Sequence, residues 1–111
     1  MRKIIGLVVD IVIKGKKAQK KVKAKVDSGA FRSSICKSLV DIIGCPAVIK
    51  EVTVKSPMKK EKRPLVNLSL KLDKKWANST FTITKREEMR YRVLLGQNTL
   101  KKLDVLIDPK K

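Results

Sequence analysis

Ala24-Lys25-Val26-Asp27-Ser28-Gly29-Ala30 closes an alternating run. In it Val22, Ala24 and Val26 are apolar, and Lys21, Lys23 and Lys25 are charged. Period-two alternation predicts a strand with one face in the core and one in water. The acid, hydroxyl and glycine that follow predict a tight turn, since Asp and Ser bond their own backbone and Gly bends freely. Asp27 is therefore expected on a turn at the end of a half-buried strand. Taken alone, Asp-Ser-Gly reads as a plain turn. A second stretch, Val93-Leu94-Leu95-Gly96-Gln97-Asn98-Thr99-Leu100, changes that reading: a short apolar strand ends in a glycine and runs into a helix start.

Outward from that pair, the chain has 111 residues, the size of one domain (1–111), and 42% of them are hydrophobic. No run of 18 apolar residues occurs, so no membrane-spanning helix and no membrane partner is expected. The apolar run Ile4 to Ile13 is interrupted by Asp10, and no small-residue cleavage site follows it. A cytoplasmic protein is the expectation. Cys36 and Cys45 are the two cysteines and His is absent, too few ligands for a zinc site, so neither metal nor cofactor is expected. Lys and Arg number 28 against 10 Asp and Glu, a net charge of +18, which favours polyanions.

Taken in order, Ile4–Val9 and Asp10–Ile13 are β-branched and read as strand, and Lys14-Gly15-Lys16-Lys17 as a turn. Ala18–Val26 completes a hairpin that delivers Asp27. Ser33 or Ser34 is expected to cap a short helix over Cys36–Ile43, with Leu39, Ile42 and Ile43 on its apolar face and Gly44 as its stop. Ala47–Lys55, Leu65–Leu72, Trp76–Thr84, Tyr91–Leu95 and Val105–Ile107 read as strands, and Asn98–Leu103 as a second short helix. Trp76, Phe81 and Ile83 are expected to be buried in part. Lys85–Arg90 is a charged loop. Between Lys55 and Pro64 the pattern breaks into a polar, proline-bounded tip holding Ser56, Pro57, Met58, Lys59 and Lys60. Seven or eight short strands and two short helices make the chain mainly β.

This order of elements, with Asp27-Ser28-Gly29-Ala30 and Leu94-Leu95-Gly96-Gln97-Asn98-Thr99-Leu100 about 65 residues apart, resembles the retropepsins. These are the small homodimeric aspartic proteases of retroviral type and their cellular relatives. Ala24–Ile35 also resembles the bacterial and archaeal retropepsin-like domain labelled an ATP-dependent zinc protease. The resemblance implies a small closed β-barrel-like half, assembled as a symmetric homodimer. It implies that Asp27 is the catalytic aspartate, one per chain, acting on a peptide or protein. Ser28 would brace the two active-site turns across the dimer, and Gly29 and Ala30 would admit the substrate backbone. Gly96 and Asn98 would belong to the loop and helix beneath Asp27. The 55–64 tip would be a flap, and Met1–Ile5 or Val105–Lys111 would form the dimer interface.

The chain departs from the family pattern in two places. Its flap candidate holds no glycine and five cations, Lys55, Lys59, Lys60, Lys62 and Arg63, which points to acidic peptides. Phe31 and Arg32 stand where viral relatives carry acids. Nothing in these residues supports the zinc label. The alternative function is a non-catalytic basic module on the same fold, binding nucleic acid or acidic proteins. A third reading makes Asp27 no more than a turn residue.

Overall fold

Alternation decides which side of each strand turns inward. In β3 (Gln19–Val26) Ala24 and Val26 are buried while Lys21, Lys23 and Lys25 are exposed. In β2 (Val8–Lys14) Ile11 and Ile13 are the buried pair. The computed structural model describes residues 2–55, 58–85 and 90–111. Among them the order continues from β1 (Lys3–Ile5), β2 and β3 to β4 (Ser33–Cys36), α1 (Lys37–Ile43), β5 (Lys50–Lys55) and β6 (Lys60–Leu72). It ends with β7 (Lys75–Thr84), β8 (Val93–Leu95), α2 (Gln97–Leu103) and β9 (Val105–Ile107).

Seven strands lie in the order β2-β3-β8-β4-β7-β6-β5, and a further β2–β6 pairing closes β2, β3, β8, β4, β7 and β6 into a six-stranded barrel. β6 is long enough to serve two partners along one edge. Its first half pairs with β5, from Lys55↔Lys60 to Lys50↔Leu65, and its second with β2 at Ser69–Lys71. β1 and β9 form a separate parallel pair, Ile4 opposite Leu106. The barrel is filled by an aliphatic cluster around Phe81, with Ile13, Ile35, Leu39, Ile43, Leu70 and Leu95 fully buried. Truncating Phe81 there would remove about 3–5 kcal/mol. Among the described residues no helix is long and apolar enough to cross a membrane.

The mainly β class, the hairpin into Asp27, both helices and the β5–β6 hairpin match the expectation, while several local readings do not. Ser33 and Ser34 do not cap α1. They lie in β4, held between β7 and β8, and the cap position falls to Cys36, whose side chain caps no helix amide and meets Ser38 Oγ at 3.2 Å. The helix instead buries Leu39, Val40 and Ile43 and leaves Ile42 49% exposed, because its inward face is one residue out of phase with the expected one. Ala47–Ile49 is outside any strand, β5 starting at Lys50. Phe81 and Ile83 are buried, but Trp76 is 45% exposed on the outer wall. Pro64 sits within β6, in the part paired with β5 alone, where a missing N–H breaks no second ladder. Of the tip, Ser56 and Pro57 lie outside the described residues, as do residues 86–89 of the charged loop.

Candidate active site

β3 delivers Asp27 to the rim of the barrel, and β8 fixes it there. The Asp27 amide donates to Leu95 O at 3.0 Å, one step past the parallel β3–β8 ladder. The chain then turns: Ala30 N donates to Asp27 O at 3.2 Å, and Gly29 N to Asp27 Oδ1 at 3.1 Å. That last bond holds one carboxylate oxygen in a set direction.

Gly96 and Asn98 both contact the loop that follows Asp27. Helix α2 begins beneath the turn, and its first amides bind loop carbonyls. Gln97 N donates to Ala30 O at 2.8 Å and Asn98 N to Phe31 O at 3.2 Å, while Gln97 Nε2 reaches Ser28 O at 2.8 Å. Gly96 lies against the loop backbone, and a Cβ there would stand 2.6 Å from the carbonyl carbon and oxygen of Arg32. Only a glycine permits that approach. Asn98 Oδ1 accepts from Ser33 N and Ser33 Oγ, both at 2.9 Å. Its Nδ2 donates to Thr80 O at 2.9 Å and Thr80 Oγ1 at 3.1 Å. Gly29 differs from Gly96: its φ is ordinary, and an added Cβ would meet nothing closer than Asp27 Oδ1 at 3.4 Å. Ser28 is exposed and engaged through its carbonyl.

Sequence reading missed a buried polar cluster under the turn. Ser33, Ser79 and Thr99 are fully buried. Ser33 Oγ receives Gly96 N at 2.9 Å and bonds Thr99 Oγ1, which in turn meets Ser79 Oγ at 2.7 Å. Hydroxyls in an apolar barrel are tolerated because each finds a partner. No signal in the sequence pairs positions this far apart.

From Ala30 a cleft of about 550 Å³ opens between the loop and the β5–β6 hairpin. It is lined by Ala30, Phe31, Arg32, Thr53–Lys55, Arg63, Thr82 and Leu94 among others. Its charged lining residues, Arg32, Lys55 and Arg63, are all cations. Arg63 Nε is shared with Glu61 Oε1 at 2.7 Å, and that hydrogen bond is the main reason the Glu61 carboxyl sits below its ordinary range. Met58 at the tip is 91% exposed, and Lys60 opens β6 opposite Lys55. Lys59 reaches Glu61 at 3.5 Å. A larger cavity, about 960 Å³, lies by the β6–β7 turn and touches none of residues 27–30. The acids there, Asp73 and Asp104, are already paired with Lys3 and Arg2.

A family model described as RimB-like, "Retropepsin-like aspartic endopeptidase RimB", matches residues 45–111. That span holds the hairpin, Gly96 and Asn98, and Asp27 lies before it. No curated protein matches the chain. Among solved structures it is similar to a Legionella pneumophila protein of unknown function, at TM-score 0.68 and 17% identity, over 100% of this chain and 96% of that one. It is also similar to the protease of simian foamy virus, at TM-score 0.63 and 18% identity, over 85% and 91%. A foamy viral protease-reverse transcriptase aligns at TM-score 0.61 and 15% identity, over 85% of this chain and 12% of that one. At such identities the likeness is one of fold.

Proposed function

The chain belongs to the RimB-like family of retropepsin-like aspartic endopeptidases, and from that premise we propose that it hydrolyses peptide bonds as a homodimer, with one Asp27 from each copy. The observation that carries this reading is the presentation of Asp27: a carboxylate at the barrel rim, oriented by Gly29 N and anchored by Leu95 and α2. A purely structural turn residue has no use for a support of that depth.

Among the described residues one chain brings one carboxylate to this turn, Asp27, and two copies supply a pair. Carboxylates about 3 Å apart cannot both ionise and so share a proton. The ionised member draws a proton from a water, and the protonated member gives one to the scissile carbonyl oxygen. The pair titrates as a unit. In this reading Ser28 braces the two turns, Gly29 and Ala30 admit the substrate backbone, and the β5–β6 hairpin, with Met58 to Lys60 leading into β6, closes over the peptide. Lys55, Arg32 and Arg63 select acidic side chains in the cleft.

Support for the assembly comes from β1 and β9. Ile4 and Leu106, paired in register, are 45% and 48% exposed, and among the described residues each strand pairs only with the other. A second copy can extend that sheet across a twofold axis. The two termini, expected as alternatives, act together in this sheet.

The test is cleavage of an unfolded acidic protein across acidic to neutral pH at several enzyme concentrations. A shared-proton pair gives a bell-shaped profile, and a dimer gives specific activity that rises with concentration. Activity that is independent of concentration and rises monotonically with pH would refute the paired mechanism.

A further inference from the structure

One wall of the barrel carries chemistry that peptide hydrolysis does not use. The outward residues of β3 are Lys21, Lys23 and Lys25. Register carries this face across the wall: Lys21 pairs with Val12 of β2, Val12 with Lys71 of β6, and Lys71 with Trp76 of β7. Directly opposed residues share a face of the sheet, so Lys21, Lys71 and Trp76 stand in one row, with Lys14 beside it. Three strand spacings make the row about 14 Å long, curving half-way round the outside of the six-stranded barrel, and Lys21 to Lys25 adds about 13 Å along β3.

An aromatic ring stands at each end of this angled run. Trp76 is 45% exposed, and the Lys71 ammonium lies 5.8 Å from the centre of its ring. At the far end Lys25 lies 6.0 Å from the Tyr91 ring and Arg90 5.8 Å from the same ring. β2 adds one acid to this face, Asp10, which is paired with Lys23 at 3.1 Å.

We propose that this wall binds single-stranded nucleic acid. Spaced cations follow a phosphate backbone, and an exposed Trp76 with a half-buried Tyr91 offers ring surface to bases, the combination used by surfaces that take single strands without sequence preference. An acidic protein would use the lysines and leave both rings idle. A duplex keeps its base faces covered by their neighbours and has nothing to stack on Trp76. The length of the run suits the lower end of known site sizes, about four nucleotides. The lysines of the run lie outside the Asp27–Ala30 turn, and Asp27→Asn is expected to leave binding unchanged.

Trp76 is the single tryptophan of the chain and therefore the reporter. Titration with a short oligouridylate is expected to quench its fluorescence to saturation, with a log–log salt slope of about −2 to −3 for three or four phosphate contacts. Lys21→Glu with Lys71→Glu should weaken binding about tenfold or more and flatten the slope by about 1.4. Lys101→Glu with Lys110→Glu, the same charge change elsewhere, should alter affinity by less than about threefold. Trp76→Ala should cost about fivefold or more. Inorganic polyphosphate, which has charge and no bases, should bind wild-type protein without quenching, a comparison that needs no variant to fold. Equal weakening by both lysine pairs, or an unquenched Trp76, would reduce the effect to the net charge and overturn the proposal. Polyglutamate binding as tightly as oligouridylate, and weakened as much by Lys21→Glu with Lys71→Glu, would overturn it in favour of an acidic protein partner.

Discussion

Gly96 and Gly29 flank the same carboxylate and are glycines for opposite reasons. At Gly96 a methyl group would strike the Arg32 carbonyl at 2.6 Å, backbone against backbone, with no side chain free to give way. Gly96→Ala should therefore cost about 1–3 kcal/mol in chemical denaturation and shift the turn that holds Asp27, lowering activity as well. At Gly29 nothing among the described residues forbids a methyl group. Gly29→Ala should leave stability unchanged or raise it by about 0.4–1 kcal/mol, yet reduce kcat/KM, because the added group stands over the Asp27 carboxylate. A variant as active as wild type would show that substrate does not approach there. Asn98 is the third residue of this kind: its amide group serves Ser33 and Thr80 at once. Asn98→Ala leaves buried partners unsatisfied and should cost about 2–3 kcal/mol in the same measurement.

Among the elements, the β5–β6 hairpin places a pH-sensitive ion pair, Glu61 with Arg63, beside the cleft. The Arg63 hydrogen bond comes first among the causes that lower the Glu61 pKa; burial opposes it, and the charges of Arg63 and Lys59 add to it. A carboxyl lowered on folding stabilises the fold fully above the pH at which unfolded Glu titrates, and that contribution disappears as pH falls through the folded value. Wild type should thus melt slightly higher than Glu61→Gln at neutral pH, with the gap closing on acidification through that range. At neutral pH the same variant releases Arg63 into the cleft and should lower KM for acidic peptides with kcat unchanged. How much of these elements was legible follows from what period-two and helical patterns encode. β3, the Asp27 turn, and the Leu100 and Leu103 face of α2 were readable because alternation and spacing are local properties. Strand partners were not. The closure of β2 on β6, the parallel β1–β9 pair and the Ser33–Thr99–Ser79 cluster all depend on which distant strands meet, and a face assignment does not specify that. Ser33 was misread for the same reason: a serine ahead of an apolar helical run looks like a cap until its hydroxyl is seen bonded to Thr99 and to Gly96 N.

For the whole molecule, the proposed activity depends on a second copy. The exposed pair Ile4 and Leu106 lies on an open two-stranded sheet. Ile4→Asp with Leu106→Asp should yield a monomer by sedimentation whose barrel melts as before, and cleavage should disappear along with the dimer. The lysine-bearing wall is a separate surface, so nucleic-acid binding should survive in that monomer. The most direct measurement is Asp27→Asn beside wild type, each assayed for cleavage of an unfolded acidic protein and sized by sedimentation. Asn can still accept the Gly29 amide bond, so the fold is expected to persist. The expected result is two dimers of equal stability, with cleavage reduced at least about 100-fold in the variant. Equal cleavage by both proteins, or cleavage by a wild-type monomer, would contradict a mechanism built on paired Asp27 carboxylates.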